Sequence, residues 1–336
     1  MKNRIVWIDI LRIIGLFAVI MMHIIGNTIN TYGGLSLSAN YIFVVIAILL
    51  EFAVPLFIMI SGMIFLSRNI SFKDMFKKYI LKILLVIMII GTSMIITEEL
   101  FINKTFSLDL LQKVFIRLIT GDIWAHMWYL YLIIGLYLIT PVLNIITANI
   151  KQDDYKIFLI FLFSLTIVIS TLNDIFNIKI AFNTIEISGY LFYYFYGYYL
   201  YKYDISNKFK IVNYLISFLS IIYVFYLAKK NASLTLLFGY TTFIPFIFAS
   251  SLVLLFKNKD INLKTKNFIH SIGMCNLGIY VLHQLFINII FKVLKIKYIV
   301  SYPCLGLIIY TIIVFTVSYI CSYLLRKNLL IRKYLL

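Results

Sequence analysis

The fold is decided by the first long apolar run of the chain, whose centre reads RIIGLFAVIMMH over residues 12–23. Everything between Arg12 and His23 is apolar or glycine, so the segment is hydrophobic enough to enter a bilayer. Its two ends are ionisable, and such groups are costly at membrane depth, about 2.5–3.5 kcal/mol for a central arginine on insertion scales. Ionisable residues within membrane helices usually have a functional role, so Arg12 and His23 are the first candidate site residues.

The composition extends this pattern to the whole chain. Of its 336 residues, 63% are hydrophobic and 13% are charged, whereas soluble domains are about 45–50% apolar and about 25% charged. We predict an all-α polytopic membrane helix bundle that occupies residues 1–336 as a single domain. About ten apolar stretches are long enough to span a bilayer; they lie near residues 6–26, 40–66, 76–97, 127–148, 155–173, 184–203, 211–228, 233–256, 268–291 and 302–325.

The formal net charge of +17 is mostly a topology signal. With the N-terminus inside, 20 of the 30 Lys and Arg residues fall in inside segments and 9 in outside ones, which predicts that both termini are cytoplasmic. Basic residues scattered over short loops indicate membrane lipids, and not nucleic acid, as the partner. The N-terminal residues MKNR and the apolar run after them resemble a signal peptide. Asp9 and Arg12 within that run are atypical of a signal peptide, so we expect the segment to remain as an uncleaved first span.

Arg12 and His23 are eleven residues apart, which places them on one face of a helix about 16 Å apart along its axis. Asp9 lies three residues before Arg12, at a spacing that allows an ion pair. A purely structural explanation is also open. In that case Arg12 extends to cytoplasmic headgroups and His23 makes an interhelical hydrogen bond.

Three histidines, His23, His126 and His283, are predicted to share the outer half of the membrane. Histidine is the side chain best suited to proton transfer near neutral pH, although each of these could equally be a satisfied core group. Trp128 and Tyr129 follow His126 and fit either an aromatic belt or contacts to a substrate. His270, near the inner start of the ninth span, fits a headgroup contact.

Three further charged residues fall at or near membrane depth. Glu51 lies near mid-membrane, where it suits a proton carrier, a partner for Arg12, or a group that orients another side chain. Lys78 and Lys82 open the third span one turn apart, as a positive-inside cluster or as a site for the phosphates of a cytosolic cosubstrate. No zinc-spaced Cys/His set or glycine-rich phosphate loop occurs, so we predict no metal site.

Four stretches together resemble the acyltransferase family 3 membrane proteins over roughly residues 1–325. The first helix, IDILRIIGLFAVIMMHII, carries the family's arginine, ten residues and histidine as Arg12 and His23. The stretch PLFIMISGMIF (55–65) is similar to the family's Pro/Phe/Ser-Gly segment. The stretch HMWYLYLIIGLYLITPVL (126–143) is similar to its His-x-Trp segment. The stretch IGMCNLGIYVLHQ (272–284) is similar to its late Gly-Ile-Tyr…His segment. One departure is KKYILK (77–82), which has lysines where the family has arginines three apart.

The resemblance implies ten core membrane helices and an O-acetyltransferase-type reaction. The donor would be cytosolic acetyl-CoA or another acyl-CoA, and the acceptor a hydroxyl of a cell-surface glycan or its lipid-linked precursor. A multi-pass protein of the bacterial cytoplasmic membrane is implied, without the extracytoplasmic hydrolase-like domain that some members carry. Lys78, Lys82 and Arg12 would bind the donor, the lysines as simple charges because a bidentate guanidinium is missing.

In the same reading, His23 acts as general base or as a transient acyl carrier. His283 and His126 would orient the acceptor or relay a proton, and Tyr280 would donate to a developing oxyanion. Glu51 is the last catalytic candidate. Trp128 and Tyr129 would contact the acceptor.

Two other function classes fit the same polar residues. A proton-coupled transporter of a small polar or acylated molecule would also place His, Glu and Arg within its spans. It would move an intact substrate without acyl-CoA. A non-catalytic sensor or assembly subunit would show neither activity. The oligomeric state has no signature in the sequence.

Overall fold

The computed structural model describes residues 5–32, 36–102, 109–176, 180, 186–229, 239–259 and 263–336. These residues form helices, and none of them lies in a strand. In chain order the main helices are α1 (Val6–Tyr32), α2 (Ser38–Phe65), α3 (Phe72–Leu100), α4 (Leu110–Thr120), α5 (Trp128–Asn149), α6 (Gln152–Asn173), α7 (Glu186–Lys202), α8 (Asn207–Lys229), α9 (Phe243–Phe256), α10 (Leu263–Met274), α11 (Asn276–Val293), α12 (Pro303–Leu325) and α13 (Leu329–Tyr334).

Within these described ranges, eight helices are long and apolar enough to cross a membrane, namely α1, α2, α3, α5, α6, α8, α11 and α12. The shorter helices α7 and α9 lie where the sequence predicts the sixth and eighth spans. The prediction of an all-α, multi-pass membrane bundle is therefore confirmed. The count of ten spans and the cytoplasmic termini stay predictions.

The outer surfaces of α6 and α8 are covered with large apolar side chains. Ile157 is 66% exposed and Ile211 is 65% exposed, and both belong to longer rows of exposed Ile, Leu and Phe. Water-exposed monomers rarely carry contiguous apolar patches of this kind. These faces are the ones that contact lipid.

Helix α1 is central, because it packs against α2, α10, α11 and α12. The most extensive helix pair is α2 with α7, and two glycines let their backbones meet. A Cβ atom on Gly62 would lie 1.9 Å from the Tyr194 carbonyl oxygen, and one on Gly197 would lie 2.2 Å from the Met59 carbonyl oxygen. Small residues at such positions are typical of membrane helix pairs, where van der Waals packing drives association.

Two predicted spans differ from the observed helices. The eighth is predicted to begin at residue 233, but Gly239–Thr242 form a turn and α9 begins at Phe243; residues 230–238 lie outside the described part. The Phe243 N–H at this start donates to Thr171 Oγ1 of α6, and Pro245 falls in the first turn, where proline is tolerated. The ninth is predicted as one helix over 268–291, but it divides at Cys275 into α10 and α11.

Helix α2 is also interrupted, at Glu51 and Phe52. Pro55 has no backbone N–H to donate to the Glu51 carbonyl, so the regular hydrogen-bond ladder is broken there.

Candidate active site

The inner part of α1 carries a three-membered ionic network. A guanidinium nitrogen of Arg12, Nη1, lies 2.8 Å from Asp9 Oδ1, one helical turn away. His270 Nδ1 lies 3.5 Å from Asp9 Oδ2. The Asp9 side chain is 2% exposed and that of Arg12 is 21% exposed, so the carboxylate is buried and holds the guanidinium in a fixed direction.

The contact between His270 and Asp9 differs from the headgroup contact that the sequence predicts. It forms because α10 packs directly against α1. The two residues are far apart in the chain, so no local spacing rule could have paired them.

A cavity of about 280 Å³ opens beside this network, between α1, α2, α3, α5 and α11. Arg12, Lys78 and Lys82 line one part of it, and Tyr129 and Tyr280 line another. The Lys78 side chain is exposed at the predicted inner surface, whereas Lys82 is half-buried. The cavity therefore has a cationic entrance and an aromatic interior, and it contains the residues predicted to bind an anionic donor.

Beyond the tyrosines, the structure brings three histidines from three segments together. The ring centroid of His283 lies 5.3 Å from that of His23 and 4.9 Å from that of His126. The centroids of His23 and His126 are 6.1 Å apart. His23 comes from α1, His126 from the turn before α5, and His283 from α11. His126 and His283 are buried, and His23 is half-buried.

Two hydrogen bonds organise this histidine cluster. The Tyr280 hydroxyl donates to the backbone carbonyl of His126, and His283 Nδ1 lies within hydrogen-bond distance of the backbone carbonyl of Tyr280. Because a carbonyl can only accept, His283 Nδ1 carries the proton and Nε2 keeps its lone pair in the neutral ring. Among the described residues, His283 Nε2 has no hydrogen-bond partner, and the His126 ring faces the Val281 backbone. Unsatisfied buried polar atoms are rare and mark sites with a further role.

Tyr280 joins the cavity to the histidine cluster. It lines the cavity, and its ring centroid lies 5.6 Å from that of His126 and 5.8 Å from that of His283. Tyr129 is next to it, with ring centroids 5.7 Å apart. Ring contacts through Tyr280 thus connect the cavity lining to the imidazoles, although no histidine lines the cavity itself.

Comparison with known proteins identifies the family of the chain. A family model described as an acyltransferase domain, Acyl_transf_3, matches residues 5–327, nearly the whole chain. The chain belongs to acyltransferase family 3. This protein is therefore a multi-pass membrane acyltransferase. Neither a curated protein nor a solved structure gives a significant match.

Not every predicted site residue of the acyltransferase reaches the cavity or the histidine cluster. Glu51 Oε2 accepts a hydrogen bond of 2.8 Å from the Gly239 backbone N–H, which directs its side chain toward the start of α9. Pairing of Glu51 with Arg12, one of the predicted options, is wrong, since the Arg12 partner is Asp9. Trp128 does not line the cavity and stacks on Tyr240 with ring centroids 5.5 Å apart.

Tyr280 also differs from its predicted role in one respect. The sequence predicts a hydroxyl that donates to an oxyanion, but a tyrosine has one hydroxyl proton, and the His126 carbonyl already accepts it. In this arrangement Tyr280 positions His126.

Replacing Asp9 by asparagine tests the ionic network. We expect the free energy of unfolding to fall by about 1–3 kcal/mol, because a partly buried guanidinium and His270 lose the carboxylate that they face. The measurement is thermal unfolding in nanodiscs. Asp74→Asn is the matched control, since Asp74 pairs with Lys78 on the exposed surface, where such pairs contribute about 0–1 kcal/mol. Equal losses in both variants would contradict the assignment.

Proposed function

We propose that this acyltransferase moves an acyl group, most simply acetyl, from cytosolic acyl-CoA to a hydroxyl of a cell-surface glycan or its lipid-linked precursor. The proposed location is the bacterial cytoplasmic membrane. One observation carries the proposal: a single cavity begins at Arg12, Lys78 and Lys82 and ends at Tyr280, which touches the histidine cluster. Acyl-CoA is a long donor with phosphates at one end and a thioester at the other. It therefore matches the order of the lining residues, which are basic at one end of the cavity and adjoin the histidines at the other.

The donor end of the site is electrostatic. Lys78 and Lys82 present ammonium groups to the cavity, and ammonium groups contact phosphates as point charges. Arg12 lies deeper, fixed by Asp9, and its guanidinium can donate to a phosphate of the donor. Acyl-CoA is thus proposed as cosubstrate, and no metal is required by any step below.

In the proposed reaction, His23 takes the proton from the acceptor hydroxyl as that oxygen attacks the thioester carbonyl carbon. The tetrahedral intermediate then collapses, the carbon–sulfur bond breaks, and the CoA thiolate takes the proton back from His23. His23 is proposed as the base because it shares a helix with Arg12 and is the one member of the three that is half-buried. His283 and His126 orient its ring or relay the proton.

A Tyr280→Phe variant is expected to lower kcat about tenfold with little change in KM for the donor. The ring and its packing remain, but the hydrogen bond that holds the His126 carbonyl is lost, and such bonds contribute about 0.5–1.5 kcal/mol. Steady-state kinetics with acetyl-CoA give both constants. Tyr131→Phe is the control, because the Tyr131 hydroxyl donates to the Leu118 carbonyl and Tyr131 does not line the cavity. A kcat equal to that of the control variant would remove Tyr280 from the mechanism.

The proposed function is tested with purified protein in nanodiscs, radiolabelled acetyl-CoA and a panel of cell-envelope glycans. Release of free CoA together with label on a glycan supports the proposal. Uptake of intact substrate into sealed vesicles without acyl-CoA would instead identify a transporter. Neither activity with any acyl donor would favour a sensor or an assembly subunit.

A further inference from the structure

A second cavity, of about 370 Å³, lies where α2, α5 and α7 end at the predicted inner surface. Most of its lining residues carry polar groups, among them Arg68, Asn69, Asn144, Asn149 and Tyr198, and Leu66, Ile145 and Ala148 add apolar surface. Its volume is within the range of small-molecule sites, about 300–1,000 Å³. None of these residues has a part in the reaction described above.

The backbone at Arg68 is fixed beside this second cavity. Asn144 is 7% exposed, and its Nδ2 donates a 2.6 Å hydrogen bond to the Arg68 carbonyl, which ties the segment after α2 to helix α5. The Arg68 side chain is exposed, and no carboxylate of the described ranges lies within ion-pair distance of it. The Lys202 ammonium lies 5.3 Å from the Tyr198 ring centroid and adds a second positive charge at this wall.

The two cavities follow one another along the same pair of helices. On α2, Phe65 lines the first cavity and Leu66 lines the second. On α5, Tyr137 lines the first and Asn144 the second. Because these two residues are seven apart, they share a helix face and are about 10 Å apart along the axis. The second cavity therefore continues the first toward the predicted cytosolic side.

We propose that the second cavity binds the nucleotide end of the acyl-CoA, its 3′-phosphorylated adenosine, and that Arg68 contacts the 3′-phosphate. This inference rests on the proposed function, because it divides one donor between two cavities. The thioester end extends through the first cavity past Arg12 to Tyr280 and the histidine cluster, and the nucleotide end lies nearer the cytosol, in the second cavity. A guanidinium without a carboxylate partner suits a phosphate, and the surrounding amides offer both donors and acceptors to a purine.

The test compares acetyl-CoA with acetyl-3′-dephospho-CoA as donors for the wild type and for Arg68→Ala. We expect Arg68→Ala to raise KM for acetyl-CoA about tenfold with kcat unchanged, the size expected when one charge-assisted contact is lost. KM for the dephosphorylated donor should be the same in both proteins. Lys73→Ala is the control, since Lys73 is an exposed cation at the same surface that lines neither cavity.

A binding measurement repeats the comparison without catalysis. Wild-type protein in nanodiscs should bind adenosine 3′,5′-bisphosphate about tenfold more tightly than AMP, and Arg68→Ala should abolish this preference. An unchanged preference in the variant overturns the proposal, even if acyl transfer itself is established. An effect of Arg68→Ala that follows the anionic lipid content of the nanodisc, and not the 3′-phosphate, also overturns it and assigns Arg68 to a lipid headgroup.

Discussion

His23→Ala is expected to lower kcat for acyl transfer by about 10²–10⁴-fold, the range that a general base contributes. The imidazole of His23 is the half-buried member of a cluster whose other two rings are buried behind it. Removing it takes away the proposed acceptor for the hydroxyl proton, while the donor cavity keeps all its lining residues. KM for acyl-CoA should therefore change little, and the loss should appear in kcat.

The measurement is release of free CoA and transfer of label, with Asn30→Ala as the control. Asn30 is an exposed polar residue on the same helix, two turns beyond His23. If His23→Ala kept more than about a tenth of the wild-type rate, the base would have to be sought elsewhere in the cluster. His283 would be the next residue to replace, because its Nε2 keeps a free lone pair.

Gly62→Ala is expected to have the largest effect on stability. Its added methyl group would lie 1.9 Å from the Tyr194 carbonyl oxygen, and backbone cannot move aside as a flexible side chain can. Overpacking usually costs about 1–3 kcal/mol, and we expect at least the upper end of that range. The helices α2 and α7 would separate, so the variant should yield little monodisperse protein and unfold at a clearly lower temperature.

Gly135→Ala is the matched control for this prediction. Gly135 also lies within a membrane helix, α5, but no heavy atom outside its local surroundings lies within 4 Å of a Cβ built there. The control should be as stable as the wild type or more stable by about 0.5–1 kcal/mol, because alanine favours the helix. Equal unfolding temperatures for Gly62→Ala and Gly135→Ala would show that the α2–α7 contact is not close-packed as described.

The sequence predicts much of this fold because the bilayer acts through simple rules. The length of an apolar stretch identifies a membrane helix. In the described residues, eight of the predicted stretches form helices long and apolar enough to cross a membrane. Local features that interrupt helices are harder to read. The break at Cys275 and the late start of α9 depend on which hydrogen bonds the surrounding helices supply, and hydropathy carries no such information.

Part of the candidate site could also be predicted from the sequence. The shared face of Arg12 and His23 follows from the 3.6-residue helical period alone. The pairing of Asp9 with Arg12 follows from a spacing of three residues, and the structure contains it. Both are local relations, which a single helix fixes regardless of its neighbours.

What only the tertiary structure decided is which distant residues meet. The contact of His270 with Asp9, the grouping of His23 with His126 and His283, and the turn of Glu51 toward Gly239 all join segments that are far apart in the chain. Lipid is as apolar as the helices that it surrounds, so hydrophobicity does not select their partners. Close backbone packing and interhelical hydrogen bonds select them. The sequence by itself therefore determined a membrane bundle with a polar face on its first helix, and the packing of the helices made that face part of a site.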